Sequence, residues 1–162
     1  MFTIHMFTIP ERQSWMSTLA RAELQQLEDL IESLVTNFHG LPNYTFLRNP
    51  EIGLVMVQGR AGATGEAFNL GDMTITRCVV QLKDMVDGLP ISGFGYIGGR
   101  SQRHAELAAL CDALLQTTLW HDQVQTTVIL PIQQSLAKQQ DRKQRQTAAT
   151  KVNFFTMVRG EG

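Results

Sequence analysis

The apolar residues of this chain change period twice, and that change limits what it can fold into. Leu24, Leu27, Ile31, Leu34, Val35 and Phe38 recur at steps of three and four, which predicts a helix with one buried face. The stretch before it, 11–22, carries Trp15, Met16 and Leu19 at compatible spacing and reads as a first helix. Gly40 and Pro42 end the helical pattern. From Tyr44 the period becomes that of β structure. Two runs, 44–48 and 52–58, are separated by Asn49-Pro50, a pair that favours a turn. Ile52 to Val57 is almost continuously apolar and predicts a strand buried on both faces. Residues 73–82 (MTITRCVVQL) and 93–97 (GFGYI) predict two further strands. At Ser101, a plausible N-cap, the helical period returns, with Leu107, Leu110, Cys111, Leu114 and Leu115 on one face. Pro131 limits or kinks the segment that follows.

This order, helices then strands then helices, predicts an α+β fold: a small, mostly antiparallel sheet flanked by helices, with an extended C-terminal arm. Short links between the strands favour hairpins over parallel crossovers. The chain divides into an irregular segment over 1–10, a single domain over 11–131, and a polar helix with an apolar interaction tail over 132–162. MFTI occurs twice, at Met1 and Met6, so the start of translation is ambiguous. A net charge of −1 gives no electrostatic reason to expect nucleic acid or a membrane as partner. No signal-like N-terminus or membrane-length apolar run is present, and Cys78 and Cys111 read as reduced core thiols of a cytoplasmic protein.

The glycine-rich stretch GRAGATGEAFNLGDMTITR, 59–77, raises the question of a phosphate site. No lysine follows its glycines, and neither the Walker nor the dinucleotide fingerprint is present. The residues after it read as strand, so no helix dipole would face a ligand there. It predicts a long hairpin, with Leu70-Gly71-Asp72 as a second turn. Backbone N–H groups of such a loop can still cradle an anion, and Arg60 and Arg77 flank it. That makes Arg60, Gly62, Thr64, Gly65 and Arg77 candidate anion-binding residues. Arg100 and His104, in the glycine turn and helix start GYIGGRSQRHAE, form a second candidate; the plain alternative makes His104 a surface or interface residue. No nucleophile–base pair or metal-ligand spacing can be argued, so the catalytic residues stay unknown and no metal is expected.

The C-terminus carries a different signal. Residues 138–151 hold five cations against one carboxylate, net +4, and no apolar face. The run FFTMV, 154–158, then returns to large apolar groups near the chain end, where polar residues are usual. Burying Phe154, Phe155 and Met157 would contribute about 1.5–3 kcal/mol each. A polar arm with an apolar hook predicts docking on another subunit through Phe154, Phe155, Met157, Val158 and Arg159.

Three blocks, GLVMVQGRAGATGEAFNLGDMTITRC (53–78), GYIGGRSQRHAELAALCDALLQ (95–116) and KVNFFTMVRGE (151–161), together with QSWMSTLARA, resemble the PhnG family, a subunit of the bacterial carbon–phosphorus lyase system. Ser101 stands where the family often has Asp, and Asn153 where an acidic residue is usual. The resemblance implies a cytoplasmic hetero-oligomer with PhnH, PhnI and PhnJ, acting with the ATPase-like PhnL. It implies an early step of phosphonate use, in which methylphosphonate displaces adenine from C1′ of ATP to give alpha-D-ribose 1-methylphosphonate 5-triphosphate. The displacement is assigned to PhnI and the radical C–P cleavage to PhnJ, whose iron–sulfur cluster needs a cysteine set that this chain lacks. The expectation is therefore a subunit of a transferase complex with no complete active site and no cofactor of its own, ATP being substrate of the complex. The alternative is a stand-alone phosphate-ester-binding protein or small-molecule enzyme using the loop 59–65.

Overall fold

A computed structural model describes residues 7–62, 64–83 and 90–150. Two helices, α1 (Ile9–Arg21) and α2 (Leu24–Phe38), precede a sheet of β1 (Tyr44–Arg60), β2 (Ala67–Leu82) and β3 (Ser92–Gly98). Then come α3 (Gln102–Leu115), α4 (Thr118–Val124), a π-helical turn (Gln125–Ile129) and α5 (Leu130–Ala149). The three strands are antiparallel in the order β1-β2-β3, and the fold is the expected α+β arrangement.

Local chemistry sets the helix starts. Thr8 and Glu11 close a capping box at α1, the Thr8 hydroxyl accepting from Glu11 N–H while Glu11 accepts from Thr8 N–H at 2.8 Å. Ser101 caps α3 by accepting from His104 N–H, as its position predicts. At Pro131 the helix does not stop. Leu130 N–H reaches Gln125 O, one residue further back than in an α-helix. The π turn thus absorbs the proline, which has no N–H and crowds the preceding turn.

The core lies between the sheet and α3. Thr76, Cys78, Val80 and Leu82 are buried on β2 and Ile97 on β3, and α3 turns Ala105, Ala109 and Ala113 toward β3 while Leu107, Cys111 and Leu114 belong to the same core. Helix α3 is buried on nearly every side, because α1 and α2 cover the face turned away from the sheet. Glycine lets it sit so close. A Cβ on Gly95 would lie 2.1 Å from Ala105 O, and one on Gly93 would lie 2.0 Å from Ala109 O.

Three sequence expectations change here. Asn49-Pro50 makes no turn: β1 runs through it with register irregularities between Phe46 and Glu51. Pro50 is tolerated because among the described residues β1 is an edge strand, with no neighbouring strand to receive a donor on its outer side. Leu70-Gly71-Asp72 is likewise no second turn but a bulge within β2, where Gly71 at φ 147° pairs with Val57. And Ile52–Val57 is not buried on both faces. Leu54 is 66% and Met56 59% exposed, and Ile52 and Val55 are open as well. The reason is geometric. β3 covers β2 only from Ile75 to Gln81, so the far half of the β1–β2 hairpin extends beyond both β3 and the helices.

Candidate functional site

The hairpin tip is built by the turn between Arg60 and Ala67, which end the β1–β2 ladder as a directly opposed pair. Gly62 has φ 70°, a conformation that glycine adopts without strain. Gly65 folds back so tightly that a Cβ there would lie 2.1 Å from Ala61 O. Arg60 and Thr64 stand exposed beside these glycines. Arg60, Gly62, Thr64 and Gly65 are therefore neighbours at one tip.

Arg77 does not join them. It lies ten positions along β2 from Ala67, on the order of 30 Å at roughly 3.3 Å per residue. Its guanidinium pairs with Glu51, directly opposite on β1, and Arg48 adds a second cation to the same carboxylate at 2.8 Å. That hydrogen bond from Arg77 is the largest influence on Glu51 and lowers its pKa. Arg77 thus serves as a cross-strand pair, and the expectation that it flanks the loop with Arg60 fails because the hairpin is long.

The second candidate splits as well. Arg100 is exposed, whereas His104 is buried and not at the surface: its Nε2 donates to Leu19 O at 2.8 Å and ties α3 to the end of α1. His121 also has a structural bond, donating from Nδ1 to Leu115 O at 2.7 Å and stacking on Phe7.

Neither thiol is a nucleophile at neutral pH. Both are free and buried, and burial raises Cys78 to about 11 and Cys111 to about 12. Burial together with the Glu106 hydrogen bond raises Tyr44 to about 12, so its hydroxyl donates to Glu106 and fastens β1 to α3. Among the described residues no group of three or more His, Cys, Asp or Glu could hold a metal.

Two features escape sequence reasoning. Asp112 lies within the apolar run of α3, wholly buried. Its carboxylate accepts from Arg12 Nε at 3.1 Å and Nη2 at 2.7 Å, Trp15 Nε1 at 2.8 Å, Phe94 N at 2.9 Å and Gln116 Nε2 at 3.3 Å. One side chain thus joins α1, β3 and α3; a lone Asp among leucines was the available signal. A polar groove of about 480 Å³ also lies between α1 and α5, with Ser14, Ser17, Thr18, Arg21, Gln133 and Lys143 on its walls.

Among the described residues, the hairpin carries a run of exposed apolar side chains, Leu54, Met56, Phe68, Leu70 and Met73. The candidate interface residues Phe154, Phe155, Met157, Val158 and Arg159 lie outside the described residues. Residues 10–160 match the profile of the phosphonate metabolism protein PhnG. The chain belongs to the PhnG family. It is 37% identical over 153 residues to the alpha-D-ribose 1-methylphosphonate 5-triphosphate synthase subunit PhnG of Rhizobium meliloti (strain 1021), in a match covering 94% of this chain and 92% of that protein. The PhnG match takes in the hairpin tip, the Arg100–His104 turn and the tail beyond α5. Among the described residues no helix is long and apolar enough to cross a membrane.

Proposed function

We propose that this chain is the PhnG-type subunit of an alpha-D-ribose 1-methylphosphonate 5-triphosphate synthase and that it works by assembling and supporting the subunit that carries the chemistry. In that reaction a phosphonate oxygen bonds to C1′ of ATP, the C1′–N9 bond breaks, and adenine leaves with a proton. The partners are PhnH, PhnI and PhnJ, with the ATPase-like PhnL; ATP is substrate of the assembly, and this chain brings no cofactor. The cytoplasm is the compartment that supplies ATP and keeps thiols such as Cys78 and Cys111 reduced.

The observation that carries the reading is the bare apolar hairpin, with Leu54 66% and Leu70 63% exposed. Contiguous apolar surface of this kind marks a protein interface. Arg60, Gly62, Thr64 and Gly65 at the tip, and Arg100 near the start of α3, are the groups with which it would contact a triphosphate or phosphonate anion; His104 and Arg77 serve the fold instead. The apolar tail residues Phe154, Phe155, Met157 and Val158, with Arg159, would form a second contact with the partners.

The test is reconstitution with and without this chain, following adenine release from ATP in the presence of methylphosphonate. Release is expected only when the chain is present. Equal release in its absence would refute the proposal.

A further inference from the structure

The free half of the hairpin is a two-stranded ribbon with a vacant place beside it. β3 leaves β2 at Ile75, and Gly99 N–H takes the Thr74 carbonyl at 2.9 Å as the chain turns away. From Met73 to Ala67, β2 has β1 on one side and no described strand on the other. That vacancy, in line with β3, is about 23 Å long at roughly 3.3 Å per residue. Backbone direction alternates along a strand. Since the Thr74 carbonyl points toward β3, the N–H and C=O of Asp72 point the same way, into the vacancy.

Natural sheets guard their free edges with proline, charge and irregularity. Here proline and most of the charge are confined to the first half of the hairpin, and the second half, short of the tip, keeps one bulge, at Leu70, and one charge, Asp72. Arg48, Pro50 and Glu51, together with two of the three register irregularities, lie between Tyr44 and Glu51 on β1. From Ile52 to Gly59 β1 has no ionisable residue and no proline, and Asp72 is the one charge between Ala67 and Met73 on β2. Side chains on both faces of the ribbon are apolar and exposed.

The geometry points to strand addition: an extended, uncharged, apolar segment of another synthase subunit pairs with β2 at Ala67–Met73 and continues the line of β3. This rests on the assembly role proposed above. The occupant is extended because the unmet groups are backbone donors and acceptors. Its apolar, uncharged character answers Phe68, Leu70 and Met73, which flank the edge with a single charge, Asp72, among them. It belongs to a different subunit because the relative is itself named as a subunit of a synthase, which requires an unlike neighbour. Pairing of this kind gives β2 a neighbour on both sides along its whole length, while β1 stays at the edge.

The experiment uses the full chain, tagged and co-expressed with the other synthase subunits. Leu70→Glu places a carboxylate on an open side chain beside the edge. Asp72→Pro removes the outward N–H and leaves the β1 ladder in place. Recovery of the other subunits is expected to fall about tenfold or more with either variant. The purified variants keep the circular dichroism and melting temperature of the parent chain. In the assembled parent, amide hydrogens at 67–73 exchange more slowly than in the isolated chain. Full recovery with both variants, or unchanged exchange at 67–73, overturns the strand-addition site while the assembly role stands. So does a homodimer of the isolated chain that protects the same amides. If even the parent chain recovers no other subunit, the assembly role fails, and this inference with it.

Discussion

Removing the Asp112 carboxylate tests the account of how α1, β3 and α3 hold together. In Asp112→Ala, Trp15 Nε1 and Phe94 N–H lose their acceptor in a site where Trp15 is 4% exposed and Asp112 0%. Each orphaned buried donor costs about 1–3 kcal/mol. Arg12, with a third of its side chain open to water, turns outward at smaller cost. The sum agrees with the roughly 3–5 kcal/mol for breaking a buried charged pair from one side. For a chain of 162 residues that is a fall in melting temperature of about 6–20 °C. Asp112→Asn is the sharper variant. Oδ1 accepts from Arg12 Nε and Trp15, and Oδ2 from Arg12 Nη2, Phe94 N and Gln116. Either orientation of the amide turns its NH2 toward at least two donors, so a shape-preserving change still costs about 2–4 kcal/mol. Urea unfolding of the purified chain, followed by far-ultraviolet circular dichroism, measures both. An Asn variant within about 0.5 kcal/mol of the parent would refute the reasoning, since the site would then not need two acceptor oxygens.

Further outcomes follow from other contacts. Gly95→Ala drives a methyl into Ala105 O and is expected to destabilise by about 1–3 kcal/mol or more in the same unfolding assay, whereas Gly53→Ala, with open space around it, changes far less. Burial raises Cys111 from 9.0 to about 12, so the folded chain holds a proton there that the unfolded chain releases. Stability from that group is complete below pH 9 and declines as pH rises toward 12, by up to about 1.4 kcal/mol per unit, with Cys78 acting in the same sense; a flat urea midpoint across that range counts against the burial. Arg60→Ala is expected to lower adenine release by the reconstituted complex about tenfold without dissociating it, as loss of a charged contact to an anion would; unchanged turnover makes the tip purely architectural. Deletion of 152–162 is expected to abolish co-purification with the other subunits while the core keeps its melting temperature, and pull-down at parental yield would contradict it.

Much of the fold is legible in local pattern. Leu27, Ile31 and Leu34 announce a helix through their spacing, and the structure buries them. Ser101 announces a helix start because a hydroxyl beside free N–H groups has one good use. The failures have a common cause. Asn49-Pro50 favours a turn in isolation, but pairing of β1 with β2 on both sides of it outweighs that preference, and an edge position removes the penalty for proline. Arg60 and Arg77 look like one clasp in sequence; hairpin length separates them. His104 looks exposed at a helix start until α1 packs over it with Leu19 O facing its ring.

The sequence by itself determined the fold class, the order of helices and strands and membership of the PhnG family, because helix and strand periods, caps and motif blocks are properties of neighbouring residues. Only the tertiary structure decided that Asp112 is a buried junction and that no other described element covers the apolar hairpin. Those facts depend on which distant groups arrive at a given point. Hydrophobic residues state a demand for burial, but the sequence of one chain does not say whether its own elements or those of a partner will meet it.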